Sequence, residues 1–300
     1  MLAIQTKQLT KFYGRDRGIE NLDLTVPSGE VYGFIGPNGA GKSTTIRLLL
    51  SLIFPNRGEG RIFGLDIVRQ GPAIKKLTGF VPSEVSYYPG MTVKELFRYA
   101  AAFYRVPLDG YYHRLVETME IDLNRKIDDL SMGNKKKVAL IQSLLHQPKL
   151  LILDEPTSGL DPVMQHRFFE LLKEANQGGT TIFFSSHVLS EVEKFCHRVA
   201  IIKDGSVVEE ADISRLKEKM LTRVTIRFSV PVPGFRPESP GVIQLTRENN
   251  SCTFLYNGEI KPLLKELIKY PVDKLSMAEP DLEEVFMHHY RETDKEEAAS

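Results

Sequence analysis

From Glu30 onward the chain alternates between short apolar runs and stretches whose apolar residues recur at helical spacing. "EVYGFIG" (30–36) predicts a buried strand ending at a glycine loop, and "KSTTIRLLLSLI" (42–53) the helix that follows. "KLLILDE" (149–155) is apolar without alternation, as expected of a strand covered on both faces of a parallel sheet. "GTTIFFSSH" (179–187) is a second such strand, and "RVAIIKDGSVVEE" (198–210) predicts a hairpin about Asp204-Gly205.

Between these runs lies an inserted helical region. Thr92 and Glu95 form a Thr-x-x-Glu capping box. Val93, Leu96, Phe97, Ala100, Phe103 and Tyr104 follow at helical spacing and read as a core-facing stripe. "NKKKVALIQSLLHQ" predicts a helix beginning near Asn134 and ending before Pro148. Asp161 and Pro162 form an N-cap and first-turn pair opening "VMQHRFFELLKEAN".

After "SRLKEKML" (214–221) the pattern changes. "RVTIRFSV" alternates, with Val224, Ile226, Phe228 and Val230 on one face. "PVPGFRPESPG" (231–241) is a loop. Two strands, a helix in "KPLLKELIKY", a short strand and a last helix in "DLEEVFMHHY" complete a small α+β domain, and 291–300 reads as a frayed tail. The organisation expected is α/β over 1–218 with a mostly parallel sheet, its helical subdomain near 85–148, and an α+β domain over 219–290.

Composition narrows the functions. The 300 residues carry 39 basic and 39 acidic side chains, and this balance gives no basic excess to attract nucleic acid. Cys196 and Cys252 form no Cys-x-x-Cys and read as buried free thiols, which fits a reducing cytoplasm. The N-terminal "MLAIQTKQLTKFYG" is too polar for a signal peptide. The strongest apolar run, Leu48 to Phe54, would span only about 10 Å as a helix against a hydrocarbon core of about 30 Å. No direct membrane span is expected; membrane business would pass through a partner.

The chemistry sits where strands meet loops. "IGPNGAGKST" (35–44) fits G-x-x-x-x-G-K-[ST], with the cradle running Gly36, Pro37, Asn38, Gly39, Ala40, Gly41, Lys42, Ser43 and Thr44. Its glycines let backbone N–H groups approach phosphate oxygens, and the following helix N-terminus favours an anion. Lys42 supplies a charge for the β- and γ-phosphates of a triphosphate, and the Ser43 hydroxyl can bind Mg2+. Asp154 and Glu155 end a strand expected beside that of the cradle. Asp154 suits the metal, and Glu155 suits activation of the attacking water. His187 leaves a third strand toward the crevice where the carboxyl ends of parallel strands gather, and there it can position that water. The other histidines, His146 among them, have no such setting.

The order of these motifs resembles the nucleotide-binding subunits of ABC transporters over residues 1 to about 218. "GPNGAGKST" resembles the Walker A loop, "LLILDEP" the Walker B strand, "SGLD" (158–161) the D-loop and "SSH" the histidine switch. The resemblance implies that Tyr13 stacks on adenine and that Asp161 faces the nucleotide. "LSMGNKKK" (130–137) resembles the LSGGQ-x-(K/R) signature. It keeps Ser131 and Gly133, replaces a glycine by Met132, and keeps an amide at Asn134. Without its position before Walker B, the stretch would read as a helix cap followed by a solvated lysine run. In "TGFVPSE", Ser83 stands where the family has a glutamine, a shorter group reaching Mg2+ only through water. "EPDLEEVF" (279–286) resembles the accessory domain of bacterial ABC-2-type export ATPases of the bacitracin and multidrug resistance group.

The resemblance implies a P-loop NTPase core with N-terminal antiparallel strands. It implies an ATPase at the cytoplasmic face of the membrane, working with a transmembrane permease and a second nucleotide-binding subunit, identical or paralogous. The alternative is a cytosolic ATPase of the same type without a transport role. Tandem cassettes or a long coiled coil would mark that class, and 300 residues with one set of motifs carry neither.

Overall fold

The computed structural model describes residues 1–87, 89–214 and 222–278. The chain divides into two compact units, Met1–Ile213 and Ser214–Ser300.

Two sheets make the first unit. β1 (Leu2–Tyr13) and β2 (Asp16–Pro27) form a long antiparallel hairpin, continued by β4 (Arg57–Ile62) and β5 (Leu65–Asp66). The second sheet runs β10-β9-β3-β8-β7-β6, where β3 is Val31–Ile35, β6 Thr78–Val81, β7 Leu150–Asp154, β8 Thr181–Ser186, β9 Arg198–Lys203 and β10 Ser206–Asp212. All neighbours are parallel except β10 on β9. β3, β7 and β8 are buried at every position, which explains their unbroken apolar runs. One core joins both sheets: Ile4, Leu9, Ile19 and Leu24 of the hairpin share it with Tyr32, Phe34, Ile152 and Phe183.

The helical spacing is realised in α1 (Lys42–Leu49), α2 (Gly71–Leu77), α3 (Val93–Tyr104), α4 (Gly110–Thr118), α5 (Met132–Leu144), α6 (Pro162–Gln177) and α7 (Leu189–Phe195). Both halves of the Thr92/Glu95 capping box form. Asp161 caps α6 by accepting from the amides of Val163 and Met164.

Several expectations change. α1 stops at Leu49 rather than Ile53: Ser51 is left-handed (φ 54°) and its hydroxyl donates to the Ile67 carbonyl at 2.6 Å, a conformation no helix passes through. α5 starts two residues early because Ser131, not Asn134, opens it. On α3, Val93, Leu96, Phe97 and Ala100 are buried, but Phe103 is 69% exposed. Tyr104 is half-buried and stacks on His146 at 3.8 Å. Burial holds the His146 imidazole down to a pKa of about 4. The carboxylate strand β7 does not neighbour the cradle strand β3, because β8 lies between them.

In the second unit, β11 (Thr222–Phe228), β12 (Val242–Glu248), β13 (Ser251–Tyr256) and β14 (Val272–Ala278) form an antiparallel sheet ordered β12-β13-β11-β14. Helix α8 (Ile260–Leu267) packs Leu263 and Leu267 into a core with Val224, Ile226, Phe228 and Phe254. Val230 is not on that buried face; β11 ends at Phe228 and Val230 is exposed. The sequence-predicted last helix, the "EPDLEEVF" stretch and the tail lie outside the described residues.

Candidate nucleotide and hydrolysis site

The loop after β3 is shaped by close backbone approach. A Cβ on Gly36 would lie 2.2 Å from the Ile202 carbonyl, so only glycine fits. Gly41, at φ 109°, turns the chain into α1 and has the Gly18 carbonyl 2.7 Å from where its Cβ would be. The loop is pinned from outside where the Gly205 amide donates to the Ala40 carbonyl at 3.0 Å. Pro37, Asn38 and Gly39 are exposed, while Ser43 and Thr44 are half-buried at the start of α1.

Lys42 is buried and its ammonium lies inside this loop. Nζ donates to the carbonyls of Gly36 at 2.7 Å and Pro37 at 3.2 Å. It also stands 3.6 Å from Glu155 Oε1. Those carbonyls are weak partners for an ammonium compared with phosphate oxygens. A glycine cradle with a cation drawn into it fits a polyphosphate.

β8 supplies the link between β3 and β7. Ile35 is opposite Ser186 and Asp154 is opposite Ser185, so the carboxyl ends of the three strands lie level. The Ser185 hydroxyl donates to Asp154 Oδ1 at 2.7 Å, both residues being buried. Glu155 follows in the left-handed region (φ 46°), with its amide donating to the Ser185 carbonyl at 3.1 Å. That turn swings its carboxylate to the side where His187 stands, Nδ1 3.1 Å from Glu155 Oε1. Sequence reasoning placed Lys42, Asp154, Glu155 and His187 at one crevice; the distances bring Lys42, Glu155 and His187 around a single carboxylate oxygen.

Other candidates stand at various removes. Tyr13 is exposed at the end of β1. Its ring and the Thr44 methyl each lie 3.0 Å from where a Gly18 Cβ would be, which places Tyr13 beside the start of α1. Ser83 is half-buried just past β6, whose Val81 is opposite Leu153 of β7. Ser131 is exposed and caps α5, its Oγ accepting from the Asn134 amide at 3.3 Å. Gly133 has the Gly159 carbonyl 2.6 Å from its would-be Cβ, so the signature and D-loop backbones touch within one chain. Asp161 is exposed at the end of that loop, its Oδ1 committed to capping α6.

The sequence reading missed a polar layer beneath these groups. Lys136, at the basic position that ends the signature pattern, is fully buried and its ammonium donates to the Glu155 carbonyl. Lys136, Leu140 and Leu144 share a helix face at intervals of four, a signal that could have revealed its burial. Glu191 Oε2 accepts from the hydroxyls of Thr157 at 3.0 Å and Ser186 at 3.1 Å, bracing the turns after β7 and β8.

Among the described residues no group of three or more His, Cys, Asp or Glu could hold a metal. Ser43 and Asp154 instead offer the sparse hard-oxygen set of an Mg2+ ion bound partly by substrate phosphates. Among the described residues, no helix is long and apolar enough to cross a membrane.

Comparison with known proteins gives a consistent result. The ABC transporter family profile matches residues 19–158. A bacitracin transport ATP-binding protein of Bacillus licheniformis is 31% identical over 95% of this chain and 96% of its own length. A Nod factor export ATP-binding protein I of Paraburkholderia xenovorans is 32% identical with the same coverage of both chains. A linearmycin resistance ATP-binding protein of Bacillus subtilis is 29% identical over 95% of this chain and 97% of its own. Among solved structures, an ATP-binding subunit of an ABC transporter superposes with a TM-score of 0.67 at 29% identity, covering 72% of this chain and 92% of that one. A dimeric ATP-binding cassette bound to ADP and phosphate gives 0.64 at 26% identity, covering 70% and 98%.

Proposed function

The chain belongs to the ATP-binding subunits of ABC transporters, and from that premise we propose that it drives export through a separate transmembrane permease by pairing with a second cassette around ATP. It is an ATPase of the export-type group. The outward direction is supported by the relatives covering 95% of the chain, one carrying export and another resistance in its name. Its place of work would be the cytoplasmic face of the membrane, held by the permease at a surface near residues 80–104.

The observation that carries the hydrolytic reading is the Glu155 oxygen set 3.6 Å from Lys42 Nζ and 3.1 Å from His187 Nδ1. With ATP in the cradle, Lys42 would exchange the Gly36 and Pro37 carbonyls for β- and γ-phosphate oxygens, stronger partners for an ammonium. Backbone amides from Asn38 to Thr44 would hold the remaining oxygens, and Tyr13 would stack on adenine. Ser43 and Asp154 would hold Mg2+, with Ser83 reaching it through water; the ion would neutralise phosphate charge. Ser185 leaves Asp154 one oxygen free of its own bond. Glu155, released from Lys42, would take the proton of the attacking water, oriented by His187.

Ser131, Gly133 and Asn134 are read as the wall that closes over the γ-phosphate of the other cassette, with Asp161 crossing beside it. Ser131 and Asp161 are exposed and Gly133 and Asn134 half-buried, and Ser131 stands at a helix N-terminus, which supports a partner-facing role. A two-fold pair then has two complete pockets. Hydrolysis and phosphate release remove what joins the halves, and the permease would turn that opening into alternating access.

Glu155→Gln tests the assignment. The variant should bind ATP as the parent does, lose on the order of 10²–10⁴ in turnover, and accumulate as an ATP-bound pair in size-exclusion chromatography. Turnover at the parental rate would remove Glu155 from the role of base.

A further inference from the structure

We propose that Lys136 is a positioning residue for hydrolysis, whose ammonium holds the backbone carbonyl of Glu155 and so ties the signature helix to the carboxylate of the same chain. The proposal rests on the reading of Glu155 as the base and adds to it the element that aims that base.

The first reason is cost. Lysine is almost never fully buried unless paired, yet Lys136 has 0% of its surface exposed. Its helix face otherwise carries Leu140 and Leu144, so methionine would pack there without a charge to desolvate. Burial presses the ammonium below the usual lysine value, opposed by the negative charges of Asp154, Glu155 and Glu191. Its hydrogen bond goes to the Glu155 carbonyl.

The second reason is conformation. Glu155 is left-handed, at φ 46°. That state is disfavoured for a non-glycine residue and persists only where its surroundings over-determine it. Here the Glu155 residue is gripped at both ends. Its amide is held by the Ser185 carbonyl of β8, and its carbonyl by Lys136 of α5. The first grip belongs to the sheet. The second comes from a helix whose N-terminus is Ser131, five residues and about 7.5 Å along the axis from Lys136. A shift of α5 when Ser131 and Gly133 meet nucleotide on the other cassette would reach the Glu155 carbonyl through this bond. Occupancy of one pocket would thus aim the base of the other.

The test measures ATP affinity, KM and kcat of the full chain carrying Lys136→Met or Lys136→Arg, each alone and combined with Glu155→Gln. A displacement of the base by about 1 Å can cost 10²-fold. Lys136→Met should therefore lower kcat by roughly ten- to a hundred-fold, with ATP affinity and KM unchanged within about three-fold. Lys136→Arg, which keeps a donor and a charge, should recover most of the loss. In the Glu155→Gln background, Lys136→Met should remove nothing further from the residual rate. Equal losses in both backgrounds, or a fall in ATP affinity with kcat intact, would overturn the proposal. Should Lys136→Met yield no folded protein, the same cycle with Lys136→Gln, whose uncharged side chain is one atom shorter, decides it: a kcat loss confined to the Glu155 background supports the proposal, and parental kcat or a loss shared by both backgrounds overturns it. Normal turnover by Glu155→Gln alone would instead strike the reading of Glu155, a separate failure.

Discussion

The cradle side and the signature side of the first unit are built on opposite principles. Around the cradle, Lys42 and Asp154 are buried, and Lys42, Glu155 and His187, each following one of three adjacent strands, meet within 3.6 Å. At the signature, Ser131 is exposed and its hydroxyl serves its own helix. The first arrangement is finished by the chain's own packing. The second, on the function proposed above, is a surface whose donors would meet an acceptor from outside. Only Lys136 and the Gly133–Gly159 approach connect it inward among the contacts described above. A site split this way loses binding when one half is damaged and turnover when the other is.

That contrast orders the expected effects. Lys42→Ala should do most, weakening ATP binding to the isolated chain by on the order of a hundred-fold as a charge-assisted contact worth up to about 3 kcal/mol disappears, with turnover following. Unchanged affinity by calorimetry would break the comparison on the cradle side. Ser131→Ala should leave single-chain ATP affinity alone and lower turnover by about a hundred-fold through loss of a transition-state donor. A drop in single-chain affinity would show the signature acting inside its own chain. Tyr13→Ala should weaken ATP binding by roughly ten-fold, about 1–2 kcal/mol of lost stacking, and Tyr13→Phe should restore it. Thr92→Ala belongs to neither side: it should cost about 1 kcal/mol of stability by removing a helix cap, seen as a lower Tm, with ATP affinity unchanged.

What the sequence made legible follows from range. The strand–glycine loop–helix unit is local: spacing within Ile35–Thr44 dictates it, and the structure forms it with Gly36 and Gly41 at their tight approaches. The Thr92 capping box and the Asp161 cap are equally local and both form. Strand order is not local, and β8 enters between β3 and β7, where Ser185 becomes the partner of Asp154. Apolar spacing said that α3 has a core face, but Phe103 turns to solvent because the face ends a turn earlier, at Ala100 and Ala101. The signature pattern picks Lys136 out of three consecutive lysines, but its role was illegible for the same reason as β8: its partner is the carbonyl of a residue nineteen positions away.

The shared pocket is tested most directly by ATP turnover per chain measured across a range of chain concentrations, with the mass of the species determined by sedimentation at each. Two half-sites that complete each other predict turnover per chain rising in step with the fraction of pairs and vanishing on dilution to single chains. Constant turnover per chain, in preparations that sediment as single chains throughout, would contradict the account.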